Sequence, residues 1–167
     1  MWLSTFDNIF EKEKKKNNEK KKFWKNLSIL VKEKYDQENI SILDKFNQFN
    51  EDCLNKNNIK KINLTNNPIY IAELKRINNE IINYRGKWGY FYEFETNNLS
   101  ILKNFVNYKF QTVSYFGLEK NEILNFLSKN NLTGIDRFVP IGKSHTMDVI
   151  WDGFDLLSML TRSIKIE

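Results

Sequence analysis

Alanine occurs once in this chain of 167 residues, at Ala72, and arginine four times. Cysteine and histidine also occur once each, as Cys53 and His145. A single cysteine excludes an internal disulfide and a CxxC metal pair. One Cys and one His far apart make no metal constellation, so no metal is expected. With no second His, and with Ser144 directly beside His145, no Ser-His-Asp triad can be argued from residue order. Neither GxGxxG nor GxxxxGK followed by Ser or Thr occurs, so the glycine loops that cradle phosphates are missing. No apolar run approaches the ~20 residues of a transmembrane helix. The start, "MWLSTFDNIFEKEKKKNN", lacks the basic-then-apolar order of a secretory signal. The expected compartment is a reducing cytoplasm, with no membrane span.

What is abundant is asparagine and lysine. The net charge is +5, and it is uneven: residues 1–87 hold 18 Lys+Arg against 12 Asp+Glu, and residues 88–167 hold 8 against 9. A basic half can mark a nucleic-acid or other anionic partner. Asn and Lys have A-rich codons and Ala a G/C-rich one, so an AT-rich gene gives the same composition. A nucleic-acid footprint would favour arginine on a defined face; nucleic acid is therefore not the expected partner.

Residues 11–25, "EKEKKKNNEKKKFWK", form a charged low-complexity run. Phe23, Leu27, Leu30, Val31 and Tyr35 then make a helical stripe. Ser41, with Asp44 three residues on, reads as the cap of a second helix. Ile42, Phe46, Phe49 and Cys53 share a face of that helix, which makes Cys53 a small buried hydrophobe. "IKKINLT" reads as a strand. Pro68 followed by Tyr70, Leu74, Ile77 and Ile81 reads as a helix. From Trp88 the period changes to two: Trp88, Tyr90, Tyr92 and Phe94 fall on one strand face. A helix with Leu99, Leu102, Phe105 and Val106, a strand "KFQTVSYFG", a helix with Ile123, Phe126 and Leu127, and a strand "GIDRFVPIG" follow. This alternation predicts an α/β fold with part of a parallel sheet. Residues 1–60 read as a mostly helical basic segment and 61–167 as an α/β segment.

The last stretch, "TGIDRFVPIGKSHTMDVIWDGFDLLSMLTRSIKIE", is poor in Asn and Lys and carries Gly134, Gly142, Gly153, Pro140 and His145. Trp151-Asp152-Gly153 reads as a turn leading into a helix, with Gly153 in a backbone region other residues avoid and Asp152 as turn or cap residue. That helix, "FDLLSMLTRSI", places Leu156, Leu157, Leu160 and Ile164 at helical spacing, and Trp151 would pack on the sheet. His145, in the polar "GKSHTMD", reads as an exposed loop histidine.

In order, Gln111-Thr112-Val113, the segment Gly134 to Gly142, Trp151-Asp152-Gly153 and Leu160-Thr161-Arg162 resemble the C-terminal part of bacterial LuxC-type fatty acyl-CoA reductases. These belong to the aldehyde dehydrogenase-like superfamily. The likeness spans residues 85–167 and is weak over 20–84. It implies a partial aldehyde dehydrogenase-like catalytic domain with a mostly helical N-terminal part. It also implies NADPH-dependent reduction of an acyl-CoA to a fatty aldehyde through a cysteine thioester.

The nucleotide-binding region and nucleophile of that family precede the matched segment. "FNEDCLNKN" around Cys53 does not resemble the nucleophile's surroundings. The expectation is therefore a C-terminal fragment or subunit, inactive alone, that binds no NADPH itself. It would be completed by an N-terminal half or would self-associate. No catalytic or cofactor-binding residue is carried over. Gly142, His145, Trp151, Asp152 and Gly153 are the candidate active-site loop, and Trp88, Tyr90, Tyr92 and Phe94 the candidate seam. Two readings compete: a non-enzymatic α/β interaction module whose basic helical half binds an anionic partner, and a small enzyme with Cys53 as nucleophile.

Overall fold

The computed structural model describes residues 2–4, 11–55, 57–65, 68–151 and 153–166. The chain divides between Leu99 and Ser100 into two compact units. The composition changes near residue 60, but helices N-terminal to that point pack on strands C-terminal to it.

In the first unit, β1 (Trp2–Ser4), α1 (Glu11–Lys34), α2 (Asn39–Asn55), β2 (Ile59–Thr65), β3 (Ile69–Leu74) and β4 (Tyr90–Glu95) follow in order, with a 3-10 turn at Asn79–Asn83. The strands form one sheet in the order β1-β4-β3-β2. β1 and β3 run parallel to β4, and β2 runs antiparallel to β3. Lys, Glu and other straight-chain residues favour the helical state of α1. Its inward stripe is Phe23, Trp24, Leu27 and Val31, packed on Ile69, Ile71 and Phe91. On the other side of the sheet, Phe49 from α2 packs on Tyr70, Ala72, Leu74, Tyr90 and Tyr92. Successive strand residues point to opposite faces, so odd positions of β3 meet α1 and even positions meet α2. The unit is a sheet covered on both sides by a helix.

That layering overturns the helix predicted over 68–81. A central strand buried on both faces shows no alternation and is easily mistaken for a helical run. Ile69 and Ile71 are 0% and 4% exposed; such burial contributes about 1.5–3 kcal/mol per side chain.

The face of α2 also differs from expectation. Ser41, Lys45 and Asp52 are the buried residues of this helix. Phe46 is 47% exposed and Cys53 is exposed. The helix is rotated relative to its apolar stripe because its polar side chains find partners on the sheet. Ser41 is not a cap, since α2 begins at Asn39. Leu30 on α1 and Tyr35, just past its end, lie outside the buried stripe.

In the second unit, a 3-10 turn at Leu99–Asn104 buries Leu102 in place of the predicted helix. β5 (Thr112–Tyr115), α3 (Lys120–Lys129) and β6 (Arg137–Pro140) make a β-α-β unit in which the two strands pair in parallel. Glu119 and Glu122 form a reciprocal capping box on α3. Ile123 and Phe126 are buried, and Phe126 meets Phe138 edge-on with ring centroids 6.4 Å apart. β7 (Ile150–Trp151) and β8 (Phe154–Asp155) form a hairpin leading into α4 (Leu156–Leu160). β5–β6 is a sheet of its own and does not extend the sheet that holds β4. The α/β class is present, with short mixed sheets in place of one continuous sheet.

The long final helix is absent. α4 has five residues, and Leu157, Leu160 and Ile164 are exposed, the last two 84% and 88%.

Candidate functional site

The motifs of the tail converge on β5 and β6. Thr112 stands opposite Arg137 and Val113 opposite Phe138. The Gln111 carbonyl accepts hydrogen bonds from the backbone nitrogens of Asp136 and Arg137, at 2.9 and 3.1 Å. Beyond β6 the chain turns at Gly142, whose φ is +86°. Arg137 then organises the loop. Its Nη2 donates to the Thr146 carbonyl at 2.9 Å and its Nη1 to the Ser144 carbonyl at 3.5 Å. Its guanidinium lies over the Trp151 ring, 4.2 Å from the centroid. Planar stacking with forked donation is what arginine offers and lysine does not. The predicted candidates Gly142 and Trp151 thus flank one clamp, with His145 exposed on the loop between them.

Gly153 has a φ of +80° and sits against the Asp136 carboxyl. Asp152 lies outside the described residues. The capping expected of it is performed by Asp155, whose Oδ1 accepts from the Leu157 and Ser158 nitrogens at 3.1 and 3.3 Å. The Ser158 hydroxyl donates to Oδ2 at 2.7 Å. This donation, with the backbone bonds, holds the Asp155 carboxyl below its ordinary range. Trp151 is half-buried on Arg137. No group of three His, Cys, Asp or Glu side chains able to hold a metal occurs among the described residues.

Comparison of the chain with protein-family models, curated proteins and solved structures returns no match.

The first unit holds a second constellation, which apolar periodicity did not reveal. Asp52 is 1% exposed, and its Oδ2 accepts from the hydroxyls of Tyr90 at 2.8 Å and Tyr92 at 2.7 Å. Gln48 donates to the Tyr92 hydroxyl at 3.0 Å and to the Arg85 carbonyl at 3.2 Å. Lys45, fully buried, donates to Gln37 Oε1 at 3.3 Å and to the Pro68 carbonyl at 3.1 Å, and its ammonium lies 4.9 Å from the Tyr70 ring centroid. Burial lowers its pKa. On the α1 side, Glu93 accepts from Trp24 Nε1 at 3.2 Å and pairs with Lys20 at 2.8 Å. The signal was present in the sequence as Ser41, Lys45, Gln48 and Asp52, a polar stripe at helical spacing.

Tyr90 and Tyr92 were expected at a seam, yet they are 2% and 3% exposed. Burial raises both phenol pKa values well above 10, and hydrogen bonding to Asp52 raises them further. Above pH 10 the unfolded chain releases these two protons and the folded chain keeps them. Stability should therefore be intact below about pH 10 and fall by about 2.7 kcal/mol per unit above it, for two groups. Urea midpoints between pH 8 and 11 check this. Tyr90→Phe/Tyr92→Phe should flatten the decline.

Proposed function

We propose that the chain is the C-terminal part of a LuxC-type acyl-CoA reductase, built to be completed by a nucleotide-binding, cysteine-bearing part. The observation that carries this is the unfinished state of the second unit. The motif strands β5 and β6 form a two-stranded parallel sheet, and parallel sheets need cover on both faces. In the same unit Phe154, Leu157, Met159, Leu160 and Ile164 are all more than half exposed. Exposed apolar side chains in such number support a contact site. The seam expected at Tyr90 and Tyr92 lies instead along this tail.

In this reading the Arg137 clamp shapes the loop 142–149 at the edge of the completed active site. The thioester nucleophile and the NADPH site belong to the completing part. Cys53 is exposed on α2, and no cationic group or histidine is hydrogen-bonded to it among the described contacts. It has no role in the proposed reaction.

The test is co-expression of this chain with the nucleotide-binding, cysteine-bearing part of a LuxC-type reductase. Co-purification is expected, with NADPH oxidation in the presence of a long-chain acyl-CoA and aldehyde as product. Cys53→Ser should leave that activity unchanged. A lone monomer with a sharp, concentration-independent thermal transition and no association would overturn the reading. Steeply salt-dependent binding to nucleic acid would favour the interaction module instead.

A further inference from the structure

A cavity of about 500 Å³ opens in the first unit where α1 ends and β4 begins. Its volume is in the range of small-molecule sites. Leu27 and Val31 of α1, and Tyr35 just past its end, supply one wall. Trp88 and Phe91 supply the opposite wall. The α1–α2 connection adds Asp36, Gln37 and Glu38.

Three features bear on what this cavity takes. Its charged lining residues are two carboxylates, and among the described residues no Lys or Arg lines it. The Lys45 ammonium, which donates to the lining Gln37 Oε1 and to the Pro68 carbonyl, is fully buried. Gln37 in turn donates to the same Pro68 carbonyl at 3.3 Å, which fixes the floor. Second, the walls carry aromatic side chains, and a cation within about 6 Å of an aromatic face is attracted to it. Third, Trp88 has a φ of +53° and its side chain remains 53% exposed. A bulky residue in this backbone region is strained, and such strain gathers at ligand clamps. The strain here holds an indole at the cavity and not in the core.

We propose that this cavity binds a small amphipathic cation, with an apolar body against Leu27, Val31 and Phe91 and an ammonium head between the aromatic rings and the Asp36 and Glu38 carboxylates. The assignment is independent of the reductase reading, because it concerns residues outside the matched motifs.

Calorimetric titration of the intact chain with octyltrimethylammonium, octanol and octanoate, all below micelle formation, tests it. Octyltrimethylammonium should bind at least ten-fold more tightly than octanoate. Asp36→Asn/Glu38→Gln should remove most of that preference and leave octanol binding unchanged. Trp88→Gly, which relieves the backbone strain while deleting the ring, should weaken octyltrimethylammonium at least five-fold without lowering the thermal midpoint. Equal or tighter binding of octanoate overturns the proposal. So does a preference that survives the double substitution, or no binding by any of the three.

Discussion

Asp52→Ala is expected to destabilise the first unit by about 3–5 kcal/mol. The substitution takes the shared acceptor from two buried phenol hydroxyls, and losing a buried hydrogen-bond acceptor costs about 1–3 kcal/mol. It also opens a void between α2 and the sheet. With an ordinary urea dependence of about 1–3 kcal/mol per molar, the midpoint should fall by roughly 2 M. Asp52→Asn keeps one acceptor oxygen and should cost less. The informative control removes the acceptor and both hydroxyls together: Asp52→Leu/Tyr90→Phe/Tyr92→Phe should recover much of the loss, since no phenol hydroxyl is left to be orphaned and Gln48 keeps its bond to the Arg85 carbonyl. If Asp52→Ala costs under about 1 kcal/mol, water is reaching the two hydroxyls and the network is not what joins α2 to β4.

Gly134→Ala should be as damaging in the second unit. Gly134 has a φ of +108°, and a Cβ there would fall on the Asn107 carbonyl and the Tyr108 nitrogen. Neither backbone atom can move without displacing the segment before β5. A loss of about 4 kcal/mol is expected, enough to open the unit. Gly142→Ala is the comparison. Its φ is similar at +86°, but a Cβ there would meet nothing within 4 Å, so only the left-handed backbone cost of about 1 kcal/mol applies. Limited proteolysis reads both. Gly134→Ala should expose cleavage sites within 100–167 while residues 11–95 stay protected, and Gly142→Ala should resemble the parent. Equal resistance of the two variants would mean that the Asn107 backbone yields.

Local patterns were legible where the spacing of side chains keeps to a single period. β4 was read by its period of two, β2 as a strand, and α3 by its inward Ile123 and Phe126. β3 was misread because both its faces are covered, which erases the period that identifies a strand. α2 was read with the wrong face inward because apolar residues alone were followed. Lys45 and Asp52 are buried by virtue of Pro68, Tyr90 and Tyr92, residues that sequence order places far away. In the candidate loop, Gly142 and Trp151 were visible as unusual residues, but their organiser was not. Arg137 lies within the matched segment Gly134 to Gly142, but its reach to Ser144, Thr146 and Trp151 depends on the fold.

The outer margin of the first sheet is β2, whose free side could in principle accept a strand from another molecule. Lys60 and Lys61 stand exposed near its start, Lys60 paired with Glu73 at 2.6 Å, and the pairing with β3 is irregular between Ile59 and Lys61. Charged lysines and a bulge are how natural sheets discourage edge-to-edge stacking into fibrils. Under the proposed reading, association driven by the bare tail should therefore remain amorphous and reversible, with no growth of cross-β structure through this margin.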